Sequence, residues 1–289
     1  MLKVCSLYLL LLLPFPVLAT QPYQVVDWIE DNVFTQGIEG PAVDASGHLF
    51  AVNFSSQASV ELGTIGVVKN KGNAQLYATL PKGSVGNGIR FDSKGNMYVA
   101  DYTNHNVLRL KPKSKTWQVF AHQPKMNQPN DLAIMNNGIL FTSDPNWANN
   151  TGQLWRIDSI GKTTLLEANM GTTNGIEVSP NQRHLYVNES VQRKVWVYDL
   201  TPKGEISNKR LLIAFDDYGL DGMRTDNQGN LYIARYGKGE VAVVSPKGKL
   251  LRQIKLKGQY PTNVAFNGKR VYVTMQKRGA IESFMIGKG

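Results

Sequence analysis

A chain of 289 residues with 42% apolar and 19% charged side chains can bury one large core, and with Cys5 as its single cysteine that core is not built on disulfides. The formal charge of +10 resides largely in turn-like pieces, 111–115 (KPKSK), 247–249 (KGK) and 255–257 (KLK), without any basic run interleaved with stacking aromatics, so nucleic-acid binding is not expected. Neither GxSxG nor GxxxxGK[ST] occurs, which argues against an α/β serine hydrolase and against a P-loop nucleotide site.

Residues 1–19 carry one lysine, Lys3, then an apolar run over 7–15 broken by Pro14, and end on Val17, Leu18 and Ala19. This reads as a secretory signal peptide, with 20–289 as a single mature domain that is exported, periplasmic or secreted. Cys5 would leave with the signal. No second apolar run reaches spanning length, so the mature chain is expected to be a soluble monomer with no membrane contact.

Residues 23–29 (YQVVDWI) alternate apolar and polar side chains and predict a lone strand. Beyond it one pattern recurs: a polar residue, usually a glycine, a short apolar run, a tight turn and a strand. It starts at Glu39 (EGPAVDASGHLFAV), Asn87 (NGIRFDSKGNMYVAD), Asn130 (NDLAIMNNGILFTSD), Asn174 (NGIEVSPNQRHLYVN), Asp221 (DGMRTDNQGNLYIAR) and, more loosely, Asn263 (NVAFNGKRVYVTM). Successive starts lie 42 to 48 residues apart, with no helical pattern between them. That period, filled with strands and Gly turns, predicts an all-β, six-bladed β-propeller. The last copy supplies only three strand candidates, so 23–29 is expected to become its outer strand and close the ring. Trp117, Trp155 and Trp196 fall in later strands and are expected to pack between blades. Residues 146–151 (NWANNT) read as a loop over one face of the ring.

If every copy starts an innermost strand at the same height, Glu39, Asn87, Asn130, Asn174, Asp221 and Asn263 converge at one end of the channel. Two carboxylates and several amide oxygens make a cage of the kind a hard cation takes. The competing reading is that Asn-Gly and Asp-Gly are simply turn dipeptides. The true hairpin turn of each copy lies later, however, and Glu39 is a poor turn former. His48, His105, His122 and His184 fall outside the six positions, and a dedicated zinc site is not expected.

The phrases EGP (39–41), PND (129–131), FTSDPNW (141–147), NGIEVSP (174–180) and DGMRTDNQGNLYIA (221–234) together resemble the gluconolactonase, regucalcin and luciferin-regenerating family of six-bladed propellers. The likeness runs from about Gln36 to Phe266. It implies one divalent cation, most often Ca2+ with Zn2+, Mg2+ or Mn2+ as substitutes in vitro, at positions matched by Glu39, Asn130, Asn174 and Asp221. It further implies that Asp221 doubles as general base in lactone opening, and that Asn87 and Asp144 stand near the substrate or the attacking water. Gln128 occupies the place where regucalcin-like members carry an arginine that contacts sugar-acid substrates, which detaches a sugar lactone from lactonase chemistry in general. Arg235 could supply a positive group instead, or be a solvated strand end. The resemblance leaves three activities open: metal-dependent opening of a lactone or related ester, phosphotriester hydrolysis at the same site, and a non-catalytic binding propeller that keeps its cation for stability.

Overall fold

The computed structural model describes residues 23–55 and 63–287; the segment read as a signal peptide lies outside them. The first strand is β1 (Val26–Ile29). Blade 1 then contains β2 (Phe34–Val43), β3 (Leu49–Phe54), β4 (Thr64–Asn70) and β5 (Asn73–Thr79), and blade 2 contains β6 (Gly86–Phe91), β7 (Met97–Asp101), β8 (Asn106–Leu110) and β9 (Gln118–His122). Blade 3 is β10 (Leu132–Ile134), β11 (Leu140–Asn146), β12 (Thr151–Ile157) and β13 (Thr163–Met170), and blade 4 is β14 (Thr173–Val178), β15 (His184–Glu189), β16 (Lys194–Leu200) and β17 (Ile206–Ala214). Blade 5 is β18 (Met223–Thr225), β19 (Leu231–Arg235), β20 (Glu240–Val244) and β21 (Leu250–Lys255). Blade 6 runs from β22 (Pro261–Asn267) through β23 (Arg270–Met275) and β24 (Ala280–Met285) to β1, which supplies its outer strand. The ring is therefore a six-bladed β-propeller closed by its N-terminal strand, as the strand count of the last copy requires.

The core is divided among the six blade interfaces rather than gathered in one place. Successive residues of a strand point to opposite faces, so the run Leu49-Phe50-Ala51-Val52 sends Phe50 and Val52 toward blade 2 and Leu49 and Ala51 toward blade 6. Both faces of each sheet are thus covered, which is why the second strands read as continuous apolar runs. Equivalent clusters join blades 2 and 3 around Leu132 and Tyr98, blades 3 and 4 around Phe141 and Ile176, blades 4 and 5 around Val195 and Met223, and blades 5 and 6 around Tyr232 and Val264. Trp117 bridges blades through an indole N–H bond to the Thr79 carbonyl at 2.9 Å, and Trp196 packs against the blade 3–4 cluster. Trp155 differs from expectation: its indole donates to Asp144 within its own blade at 3.0 Å.

Closure is reinforced by charge. Asp27 on β1 meets Arg278 at 2.9 Å and also contacts Lys257, while Arg278 reaches Asp31 and Glu282 at 2.5 Å each. Burial alone would raise the Asp27 carboxyl, but its bonds to Lys257 and Arg278 hold it below the usual carboxylate range. A folded-state value below the unfolded one gives stability that is present above the unfolded pKa of about 3.9 and is lost as pH falls through the folded value. Removing residues 23–29 is accordingly expected to lower the melting temperature by about 10 °C or more. Asp27→Asn is expected to cost about 1 kcal/mol at pH 7, as other partly exposed ion pairs do. Urea melts of wild type and variant should converge as pH drops below about 4; an equal difference at pH 3 and pH 7 would remove the ion pair from the account.

Candidate functional site

The glycines that follow the leading residues are not turn formers. Only Gly40 has a left-handed backbone, with φ of 55°, whereas Gly88, Gly175 and Gly222 do not. They are needed because neighbouring blades come very close at the axis. A Cβ on Gly175 would lie 2.5 Å from the Asp221 carbonyl, one on Gly88 would lie 2.5 Å from an Asp131 carboxylate oxygen, and one on Gly222 would lie 1.8 Å from Asn263. The same approach lets backbones bond across blades: Gly88 N–H donates to the Asn130 carbonyl at 2.8 Å and Gly222 N–H to the Thr262 carbonyl at 2.6 Å. The turn-dipeptide reading therefore fails on conformation, and the leading residues are fixed around the axis by contact between blades.

Local register explains how they are aimed. In blades 1, 2 and 4 the inner strand carries one residue more than its partner between Glu39 and Ala42, Gly86 and Ile89, and Thr173 and Ile176. Such a bulge bends the strand and redirects a side chain. Glu39, Asn87, Gln128, Asn130, Asn174 and Asp221 all line one cavity of about 760 Å³. Asn263 does not: its amide turns down the channel and donates to Asp131 at 3.2 Å.

The cavity floor holds two carboxylates in a desolvated setting. Burial pushes Glu39 up to about 7, with the charge of Asp131 adding to the rise and the Gly40 N–H, 2.7 Å away, opposing it. Burial and the charge of Glu39 hold Asp221 well above the usual carboxylate range, while the Asn174 amide pulls the other way. Beside them the buried Oδ1 of Asn87 has no hydrogen-bond partner. Carboxylate and amide oxygens facing one cavity, one of them orphaned and two of them mutually repelling, fit a hard dication. Among the described residues no three His, Cys, Asp or Glu groups gather in a way that could hold a metal, so the candidate set depends on its amide oxygens. None of the four histidines lines the cavity.

Below the floor the channel is filled by ions that the sequence pattern did not reveal. Asp131, 1% exposed, bonds Arg224 at 2.9 Å and Arg90 at 3.2 Å, and Arg90 also reaches Glu177 at 3.3 Å. Burial would raise Asp131, but the charges of Arg224 and Arg90 outweigh it and hold the carboxyl low. Arg90, Glu177 and Arg224 each stand three residues after a leading residue. A regular period of two would point them away from the leading residue's side. In blades 2 and 4 the extra residue reverses that phase.

Two expectations need correction. Asp144 does not face the cavity; it is fully buried behind the wall, where its carboxylate accepts the backbone N–H groups of Asn127 at 2.7 Å and Gln128 at 2.6 Å. Its four bonds, three to Asn127 and Gln128 and one to Trp155, leave it a fixture for the loop that carries Gln128. Arg235 is neither a solvated strand end nor a cavity cation. It is fully buried, donates to the Asp217 carbonyl at 2.5 Å and lies 3.9 Å from the Phe215 ring centre. Both belong to a repeated device in which a residue at or near the end of the second strand ties down the preceding loop: Asp101 accepts from Ser84 at 2.7 Å and Glu189 from the Gly171 N–H at 2.9 Å.

Comparison with known proteins agrees with this architecture. Residues 39–277 match the SMP-30/Gluconolactonase/LRE-like region. A gluconolactonase of Zymomonas mobilis is 29% identical over 208 residues, 63% of this chain and 58% of its own length, so the chain spans somewhat over half of that relative. A 6-deoxy-6-sulfogluconolactonase of Pseudomonas putida is 24% identical over 232 residues, 76% of this chain and 71% of its own. The crystal structure of a calcium-binding regucalcin from Agrobacterium tumefaciens superposes with a TM-score of 0.78 at 20% identity, covering 92% of this chain and 96% of that one. At that identity the likeness speaks for the fold.

Asp131→Leu would leave Arg90 and Arg224 without their shared carboxylate. Loss of about 3 to 5 kcal/mol of unfolding free energy is expected from chemical denaturation; a change under about 1 kcal/mol would mean that the cluster is solvated and does not hold the axis.

Proposed function

The chain belongs to the SMP-30/gluconolactonase/LRE-like family, and from that premise we propose that it is an exported, monomeric, calcium-dependent hydrolase that opens a lactone or related ester. The observation that carries this reading is that Glu39, Asn130, Asn174 and Asp221, from four blades, line one cavity. These four would hold the cation, with oxygen donors only and a mixture of charged and neutral groups that suits Ca2+ better than a softer metal. When bound, the cation supplies Lewis-acid polarisation of the scissile carbonyl.

The chain's own groups supply the rest. Asp221, at the cavity floor with Glu39, takes a proton from the attacking water. As the tetrahedral carbon collapses, the ring C–O bond breaks and the same proton passes to the departing alkoxide, giving a hydroxy acid. Asn87 and Gln128 orient the substrate carbonyl from the cavity wall, and Asp144 holds the Gln128 backbone in place.

Chelator-treated protein is expected to open no lactone and to recover activity with Ca2+, together with a rise in melting temperature. Asp221→Asn should keep the Ca2+-induced thermal shift while kcat falls by about 100-fold or more. Glu39→Gln should weaken the thermal shift itself. Calcium-loaded wild type that opens no member of a lactone and ester panel would make the protein a binding propeller, and preferential turnover of phosphotriesters would replace the lactonase reading with the rival chemistry.

A further inference from the structure

We infer that the substrate is an uncharged lactone carrying an alkyl or aryl substituent, and that a lactone bearing an acidic group is discriminated against. The inference rests on the proposed lactonase reading and narrows it. Although the chain has 32 Lys and Arg residues, none of those described lines the cavity. Among the described residues its charged wall groups are Glu39 and Asp221, both committed to the cation. Arg235, the arginine nearest in sequence to the cavity residue Tyr236, is buried against Asp217 and Phe215 and is out of reach. An anionic substituent would therefore give up its hydration with no countercharge to receive it.

The upper wall offers an apolar substituent a place to pack. Three of its polar side chains are engaged by the protein: Asn53 donates to the Gly37 carbonyl at 2.6 Å, Thr64 to the Phe54 carbonyl at 2.6 Å, and Tyr236 to Gln276 at 2.5 Å. Four aromatic side chains also line the space: Phe54, Tyr102, Trp147 and Tyr236. Trp147, on the turn between β11 and β12, is half exposed and free to cover an apolar substituent. A cavity of about 760 Å³ exceeds what a bare lactone ring fills and leaves room for that substituent beside the aromatic wall.

The test uses the calcium-loaded full-length mature protein with four δ-lactones that share a ring: unsubstituted, phenyl- or hexyl-substituted, tri-hydroxylated with a hydroxymethyl arm, and carboxylate-bearing. The expected kcat/KM for the phenyl or hexyl compound is at least about tenfold above the hydroxylated one and about 100-fold above the carboxylate. Calorimetry with the corresponding lactams, which are not opened, gives a readout independent of turnover. The phenyl lactam should bind, the carboxylate lactam should not, and Trp147→Ala should weaken the phenyl lactam about tenfold and more than it weakens the unsubstituted ring. Preference for the hydroxylated or carboxylate compound in either assay overturns the inference. Lactam binding in the expected order with no lactone opened would uphold the ligand class and overturn the catalytic reading instead.

Discussion

Backbone crowding at the propeller axis is the constraint from which the rest of the molecule follows. Inner strands of adjacent blades approach so closely that side chains at Gly88, Gly175 and Gly222 would collide with the next blade, and bonds such as Gly222 to Thr262 cross the gap. Residues immediately before those glycines have nowhere to point except the axis. A set of oxygen donors separated by scores of residues is thereby brought to one cavity floor without a loop of its own. The six interface clusters and the β1 latch keep the ring from opening and so preserve that spacing.

The axis is arranged as two charged layers. The upper holds Glu39 and Asp221 with neutral amides around them, an excess of negative charge that a dication would balance. The lower pairs Arg90 and Arg224 with Asp131 and Glu177, two charges of each sign. Asp131 belongs electrostatically to both layers, since its charge also raises Glu39 and Asp221. Asn263 ties them mechanically, its amide bonding Asp131 below and bearing on Glu39 above. The sixth leading position is thus spent on support.

Much of this could be read from residues alone, because a repeat amplifies weak signals. The 42 to 48 residue period gave blade number, and the missing fourth strand of the last copy gave the closure by residues 23–29. Five leading residues at the cavity followed from the same alignment. What escaped notice depends on departures from regularity. Bulges in β2, β6 and β14 alter the strand phase, and no period-two pattern reports them. Asp144 and Arg235 look like site residues by type and position, yet each is consumed by bonds to a neighbouring loop that only the folded chain brings close. The glycines were legible as glycines but ambiguous in purpose, since a turn and a close approach call for the same residue.

The most direct measurement is anomalous diffraction from crystals grown with Ca2+ or soaked in a lanthanide. A single strong peak on the axis is predicted, with the oxygens of Glu39, Asn130, Asn174 and Asp221 within coordination distance, about 2.3 to 2.6 Å for Ca2+. A cation bound only at peripheral carboxylates, with these four side chains left uncoordinated, would contradict the account.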